Sequence, residues 1–224
     1  MILRPSFCIA LRIALCAVPV ATSALVIMHD AGTTVDGSKF GEHSATEWLQ
    51  QTYLLLACLV SILIGIRSKN HRAISYLLGG GAMVALIREL DVYFDKIYHG
   101  AWLLPVLLVL ALTATAIFKR RNQICDNLGE LCSSPALGTF VSGFVGVVIF
   151  SRLFGTKSLW KALFEADKLD SMQRLVKTVV QEGTELFGYT LLFIASVEFL
   201  IYITQGKPRP CLTCGEEHDS IQQQ

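Results

Sequence analysis

Six ionisable side chains crowd into one otherwise apolar stretch: Arg88, Glu89, Asp91, Asp95, Lys96 and His99. A charge held in the hydrocarbon of a bilayer costs about 2.5 to 3.5 kcal/mol on insertion scales, so such a group needs partners or water. On a continuous helix at 100° per residue, Arg88, Asp91, Asp95 and His99 share a stripe with Glu89 and Lys96 on its flank, and Met83, Leu86, Leu90, Phe94 and Ile97 make the opposite face apolar. A second polar face comes from Glu182, Glu185, Tyr189 and Ser196, where Gly183 and Gly188 let another backbone come close. With Arg152 nearby, the acids Glu89, Asp91, Asp95, Glu182 and Glu185 outnumber the bases Arg88, Lys96 and Arg152. An acidic excess must bind protons or cations or else face water. The expected acceptors are therefore Asp91, Asp95, Glu182, Glu185 and Glu89, with Arg88 as internal counter-ion. The plainer alternative is that these charges neutralise one another and fix helix register.

Metal binding is a further possibility. Asp91, Asp95 and His99 repeat at i, i+4 and i+8, Glu182 and Glu185 form an i, i+3 pair, and His29, Asp30 and His43 fall in the first outer loop. Mixed carboxylate and imidazole ligands suit zinc, iron or manganese, which makes a divalent metal the candidate cofactor. One ion cannot reach all of i to i+8, and His99 before Gly100 also fits a plain helix end. Four thiols, Cys125 and Cys132 with Cys211 and Cys214 in C-L-T-C, could hold a structural zinc or be redox-active or incidental. Glu198 lies alone on the far face of the last apolar run, with Arg12 or the inner interface as its expected partner. Gly138, Ser142 and Gly146 form a small-xxx-small ladder expected to pack against another helix.

The elements that must position these residues follow from composition. The 224 residues are 53% hydrophobic and 17% charged, with a mean hydropathy of +0.52. About a quarter of a soluble domain is charged. The apolar residues fall in runs of membrane-spanning length, which predicts an all-α, polytopic membrane helix bundle of about six transmembrane helices. The expected spans are 7–28, 48–66, 73–97, 101–118, 135–154 and 179–204, forming one domain over 1–204 with a polar tail at 205–224. The first run also has the basic start and small residues of a signal peptide, although its apolar stretch continues past them. Residues 155–178 space Leu159, Trp160, Leu163, Phe164, Leu169, Met172, Leu175 and Val176 at near-helical intervals, as an amphipathic connector on the outer surface would.

Orientation follows from the basic turns Arg67 to Arg72 and Lys119 to Arg121. With both termini cytosolic, ten Lys and Arg lie inside and six outside, and no cysteine falls in an outer loop. A net charge of +1 gives no basic footprint for nucleic acid. The expected partners are membrane lipid and either a second copy or a membrane-complex subunit. The expected location is a cell membrane, crossed several times, with a bacterial inner membrane as the expected home.

Outer acids and histidines on a helical bundle resemble the membrane hydrolase superfamily that includes alkaline ceramidases, but no H-x-x-x-H stands on a late helix, where Glu182 and Glu185 occur instead. The paired E-x-x-H of di-iron carboxylate proteins is also missing. No family is assigned on these residues. The leading expectation is a non-enzymatic protein that binds a proton or cation between the third and sixth spans, in transport or sensing. A metal-dependent membrane enzyme with an outer-leaflet site is the second expectation, and a non-catalytic accessory or assembly subunit the third.

Overall fold

A long apolar run can satisfy its own backbone only as a helix, and every regular element here is helical among the described residues 5–34, 39–41, 43–96, 98–165 and 168–205 of the computed structural model. In chain order the helices are α1 (Pro5–Gly32), α2 (Ala45–Arg67), α3 (Arg72–Glu89), α4 (Asp91–Asp95), α5 (Leu103–Phe118), α6 (Arg121–Cys132), α7 (Ala136–Val145), α8 (Arg152–Gly155), α9 (Lys157–Leu163) and α10 (Ser171–Gln205). A 3-10 turn, Lys69–His71, joins α2 to α3, and a π-helical segment, Gly146–Ser151, joins α7 to α8 without a break in the rod. Arg4, Ile97, Asp167 and the tail with Lys207, Arg209, Cys211 and Cys214 lie outside the described residues.

Among the described residues four helices are long and apolar enough to cross a membrane: Arg12–Gly32, Ala45–Arg67, Ala136–Gly155 and Ser171–Thr204. A fifth qualifies if α5 and α6, bent by 97°, count as one broken span. The sequence predicts about six. The shortfall lies in α3, which has 18 residues and carries Arg72, Arg88 and Glu89 at its ends, and in α5, which has only 16. Even so, α5 exposes Leu103, Leu104, Leu107, Leu108, Leu110, Leu112 and Phe118 and buries only Val106. A large apolar side chain left in water forgoes about 1.5 to 3 kcal/mol. A helix that is apolar all round and unburied is therefore suited to lipid.

Three boundaries differ from the sequence expectation. The third apolar run is not one helix over 73–97: α3 ends at Glu89, Leu90 leaves helical geometry at φ −94° and ψ 11°, and α4 lasts five residues. The Arg88 to His99 stripe is thereby broken. Residues 119–134, expected as a cytosolic loop, are mostly helix α6, which turns Asn127 and Leu131 inward. The sixth run starts at Ser171 and so absorbs eight residues of the expected outer connector, while α9 supplies its other helical part.

Helix α10 is the central rod, with Leu186, Ile194 and Phe199 all but inaccessible. Toward one end Leu186 and Tyr189 join Tyr53, Leu54 and Leu86, and toward the other Phe199 joins Ile64, Ile74, Leu131 and Ala136. Helices α2 and α3 run antiparallel, with the Ser75 hydroxyl donating to the Ser61 carbonyl at 2.5 Å. Lipid offers no hydrophobic drive between helices, so close approach at small residues matters. It occurs at Gly188, where a Cβ would lie 3.0 Å from the Gly143 carbonyl oxygen, and reciprocally at Gly143, where one would lie 2.8 Å from that of Gly188. Of the expected ladder only Gly146 faces this crossing, while Gly138 meets nothing and Ser142 is exposed. The packing face is rotated to Gly143, Gly146 and Val147.

Candidate functional site

A pocket of about 340 Å³ opens at the end of the bundle where α1 hands over to α2 and α3 to α4. Its wall combines Phe40, Gly41, Ser44 and Glu47 from the first connection and the start of α2, Arg88, Glu89 and Asp91 around the α3 break, Arg152 at the start of α8, and Gln181, Glu182 and Glu185 from α10. Five carboxylates therefore face two guanidinium groups. Four of the six expected site residues on the two runs meet here with Arg88: Glu89, Asp91, Glu182 and Glu185. Asp95 and His99 do not.

Each central carboxylate is held by a donor from a different element. Tyr189 donates its hydroxyl to Glu89 at 2.7 Å. Gln50 on α2 donates through Nε2 to the Glu182 carboxylate at 3.2 Å and to the Glu182 carbonyl at 3.1 Å. Ser151 donates its hydroxyl to Glu185. Both Ser151 and Glu185 are buried, and the π-helical segment places Ser151 at this register. Such segments occur mostly as single turns inside α-helices and are frequent at functional sites. Gln50 is 0% exposed, and its Oε1 has no hydrogen-bond partner among the described residues.

The counter-ion assignment changes. Arg88 lines the pocket, but its ion pair is with Asp91, and its guanidinium stacks over Trp102 at 5.5 Å. Among the described residues neither Glu182 nor Glu185 makes an ion pair, since neutral donors from facing helices satisfy them instead. Arg152 is exposed and likewise unpaired among these residues.

Asp95 closes a turn. Its Oδ1 accepts from the Gly100 N–H at 2.8 Å, where Gly100 takes φ +86°, and its Oδ2 lies 3.2 Å from His99 Nδ1. The His99 side chain is 99% exposed, and Lys96 lies over Tyr93. With Asp91 committed to Arg88 and the helical line broken at Leu90, the expected Asp91, Asp95 and His99 set does not assemble. No group of three His, Cys, Asp or Glu that could hold a metal ion forms among the described residues. His29 and Asp30 sit on the last turn of α1, not in a loop. The buried Asp30 carboxylate accepts from Thr46 N–H and Oγ1, both at 2.7 Å, and from Ala45 N–H at 3.3 Å. It thus anchors the positive N-terminal end of α2. Glu198 accepts from the Thr139 hydroxyl at 3.2 Å, a partner on α7 in place of the expected Arg12. Cys125 and Cys132 are free and exposed.

Sequence reasoning missed Glu47, Gln50 and Ser151, and took Asp30 for a loop ligand where it anchors the start of α2. Ser44-Ala45-Thr46-Glu47 carries a capping-box signature, of which the structure forms one half, Glu47 N–H on the Ser44 hydroxyl oxygen at 3.3 Å, while the Glu47 carboxylate accepts from His43 N–H at 2.8 Å, one residue before the cap, and Ser44 N–H bonds to the Gly41 carbonyl. Gln50 stands beside Gln51 and Thr52, and Ser151 beside Arg152, so only knowledge of helix rotation would single out the one that turns inward. No protein-family model matches the chain, and comparison with curated proteins and with solved structures finds no match.

Proposed function

We propose that the protein is a multi-pass membrane protein that binds a proton or small cation in the acidic pocket, in transport or in sensing. The observation that carries this reading is the five-to-two excess of carboxylates over guanidinium groups around one pocket. Glu89, Glu182 and Glu185 are the acceptors, and Tyr189, Gln50 and Ser151 hold them in place. An isolated proton or a compact monovalent or organic cation suits them better than a chelated metal, because no three-ligand group converges among the described residues. Arg88, tied to Asp91 and Trp102, offsets one carboxylate of the wall and makes no ion pair with Glu89, Glu182 or Glu185 among the described residues.

The test uses purified wild-type protein, Glu182→Gln and Glu185→Gln in lipid nanodiscs, with thermal unfolding followed across pH and across added monovalent and organic cations. Wild type should show a cation- or proton-dependent rise in stability that either substitution reduces. Identical responses in all three proteins would sink the reading. They would favour instead an accessory subunit whose charges are structural, a second reading supported by the hydrogen-bond donor that each central glutamate already has.

The proposed topology places both ends in the cytosol, with this pocket on the outer side and the Lys69–His71 turn inside. In intact cells a membrane-impermeant thiol reagent should label Lys39→Cys and spare Lys69→Cys. The opposite pattern would reverse the orientation.

A further inference from the structure

Five basic side chains converge on a second pocket, of about 480 Å³, beside the acidic one: Lys157, Lys161, Lys168, Arg174 and Lys177, with Thr178 at its edge. Helix α9 brings Lys157 and Lys161 one turn apart, and the first two turns of α10 bring Arg174 and Lys177 to the same opening. None of the five makes an ion pair among the described residues. Lys177 donates to Gln181 Oε1 at 3.0 Å, and Arg174 Nε donates to the Asp170 carbonyl at 3.2 Å. The described acids of this segment do not line the pocket: Glu165 is exposed, and Asp170 spends its Oδ1 on the Gln173 N–H at 2.7 Å. Like charges gathered without a counter-ion among the described residues repel one another, and an anion with several oxygens relieves all of them at once.

The surroundings indicate where that anion comes from. Leu163 and Met172 stand exposed on the same two elements, at 65% and 66% of their full area, and Trp160 of α9 is buried with its indole N–H on the Phe154 carbonyl at 2.5 Å. At 1.5 Å per residue the 35 residues of α10 span about 50 Å, against about 30 Å of hydrocarbon in a bilayer. The first turns of α10 therefore emerge at the level of lipid head groups, where basic clusters attract anionic lipid. We propose that this pocket binds a phosphate-bearing anion, supplied as the head group of an anionic phospholipid whose chains lie against Leu163 and Met172. The inference does not depend on what the acidic pocket binds.

Full-length protein in detergent is offered phosphatidylglycerol, phosphatidylcholine or inorganic phosphate, and native mass spectrometry and thermal unfolding report what is bound. Phosphatidylglycerol should remain attached and raise the unfolding temperature, with phosphatidylcholine doing neither. Lys161→Gln/Arg174→Gln should weaken phosphatidylglycerol binding about 30-fold, and Lys161→Gln alone, a single exposed position, about fivefold. Lys119→Gln/Arg121→Gln, the same charge loss at the other end of the bundle, should leave binding unchanged. Protection by inorganic phosphate equal to that by phosphatidylglycerol would keep the anion site and overturn the lipid source. Undiminished phosphatidylglycerol binding by Lys161→Gln, or equal protection by phosphatidylcholine, would overturn the proposal.

Discussion

The acidic and basic pockets touch the same helix within one turn, Gln181 and Glu182 on one and Lys177 and Thr178 on the other, yet they are built in opposite ways. The central acids are partly or fully buried, and each takes a donor from another helix, so their positions are products of packing. The bases stand on a short helix, a link and an emergent helix end, and no carboxylate among the described residues answers them. One site is organised from within the protein and the other is left for something outside it. Disturbing the bundle should therefore damage the first far more than the second.

The largest effect should come from Gly188→Val, which drives a branched side chain into Val147 and the Gly143 carbonyl at the α7–α10 crossing. Overpacking of this kind costs about 1 to 3 kcal/mol and occasionally more. A clear drop in unfolding temperature and the loss of any cation response are expected. Normal stability would mean that the crossing is looser than it looks. Next is Ser151→Ala, which takes from Glu185 the only hydrogen bond seen at its carboxylate among the described residues and should cost about 1 to 3 kcal/mol. In a Glu185→Gln background the same change should cost less, and a double-mutant cycle measures that coupling. Additive effects would show that the pair does not interact. Smallest is Asp95→Asn, since an amide oxygen can still accept from Gly100 N–H. Stability within about 0.5 kcal/mol of wild type and an unchanged cation response are expected. A lost response would return Asp95 to the site and weaken the contrast drawn here.

What the sequence made legible follows from which signals survive one-dimensional reading. Apolar runs located the long helices but not α6 or the end of α3, and the rarity of charge inside the runs drew Arg88, Glu89, Asp91, Glu182, Glu185 and Arg152 into one neighbourhood. Distance along the chain did not hide that grouping, because each lies near the same end of its run. Hidden were the features set by rotation about a helix axis: the Gly143 packing face instead of Gly138 and Ser142, and the inward turn of Gln50 and Ser151. The break at Leu90 was also hidden, as no Gly or Pro stands between Arg88 and His99 to mark it. The six ionisable groups that suggested a polar helical stripe were themselves the sign that the helix stops. A continuous stripe would make Asp95 and His99 ligands, whereas they belong to the turn that follows α4.

The π-helical segment Gly146–Ser151 has a genetic consequence. Its wider winding accommodates a residue that a regular α-helix of the same rise would not hold, so it behaves as an insertion absorbed inside the rod. Deleting one residue ahead of Ser151 should therefore let the segment rewind as α-helix with everything beyond it still in phase, whereas one residue more than the widened turn already holds would rotate everything beyond it by about 100°. In that longer rod Ser151 would swing away from Glu185 and Arg152 away from the pocket mouth, although no residue of the pocket itself had been changed. The stretch can thus lose one residue more safely than it can gain one, whatever its composition.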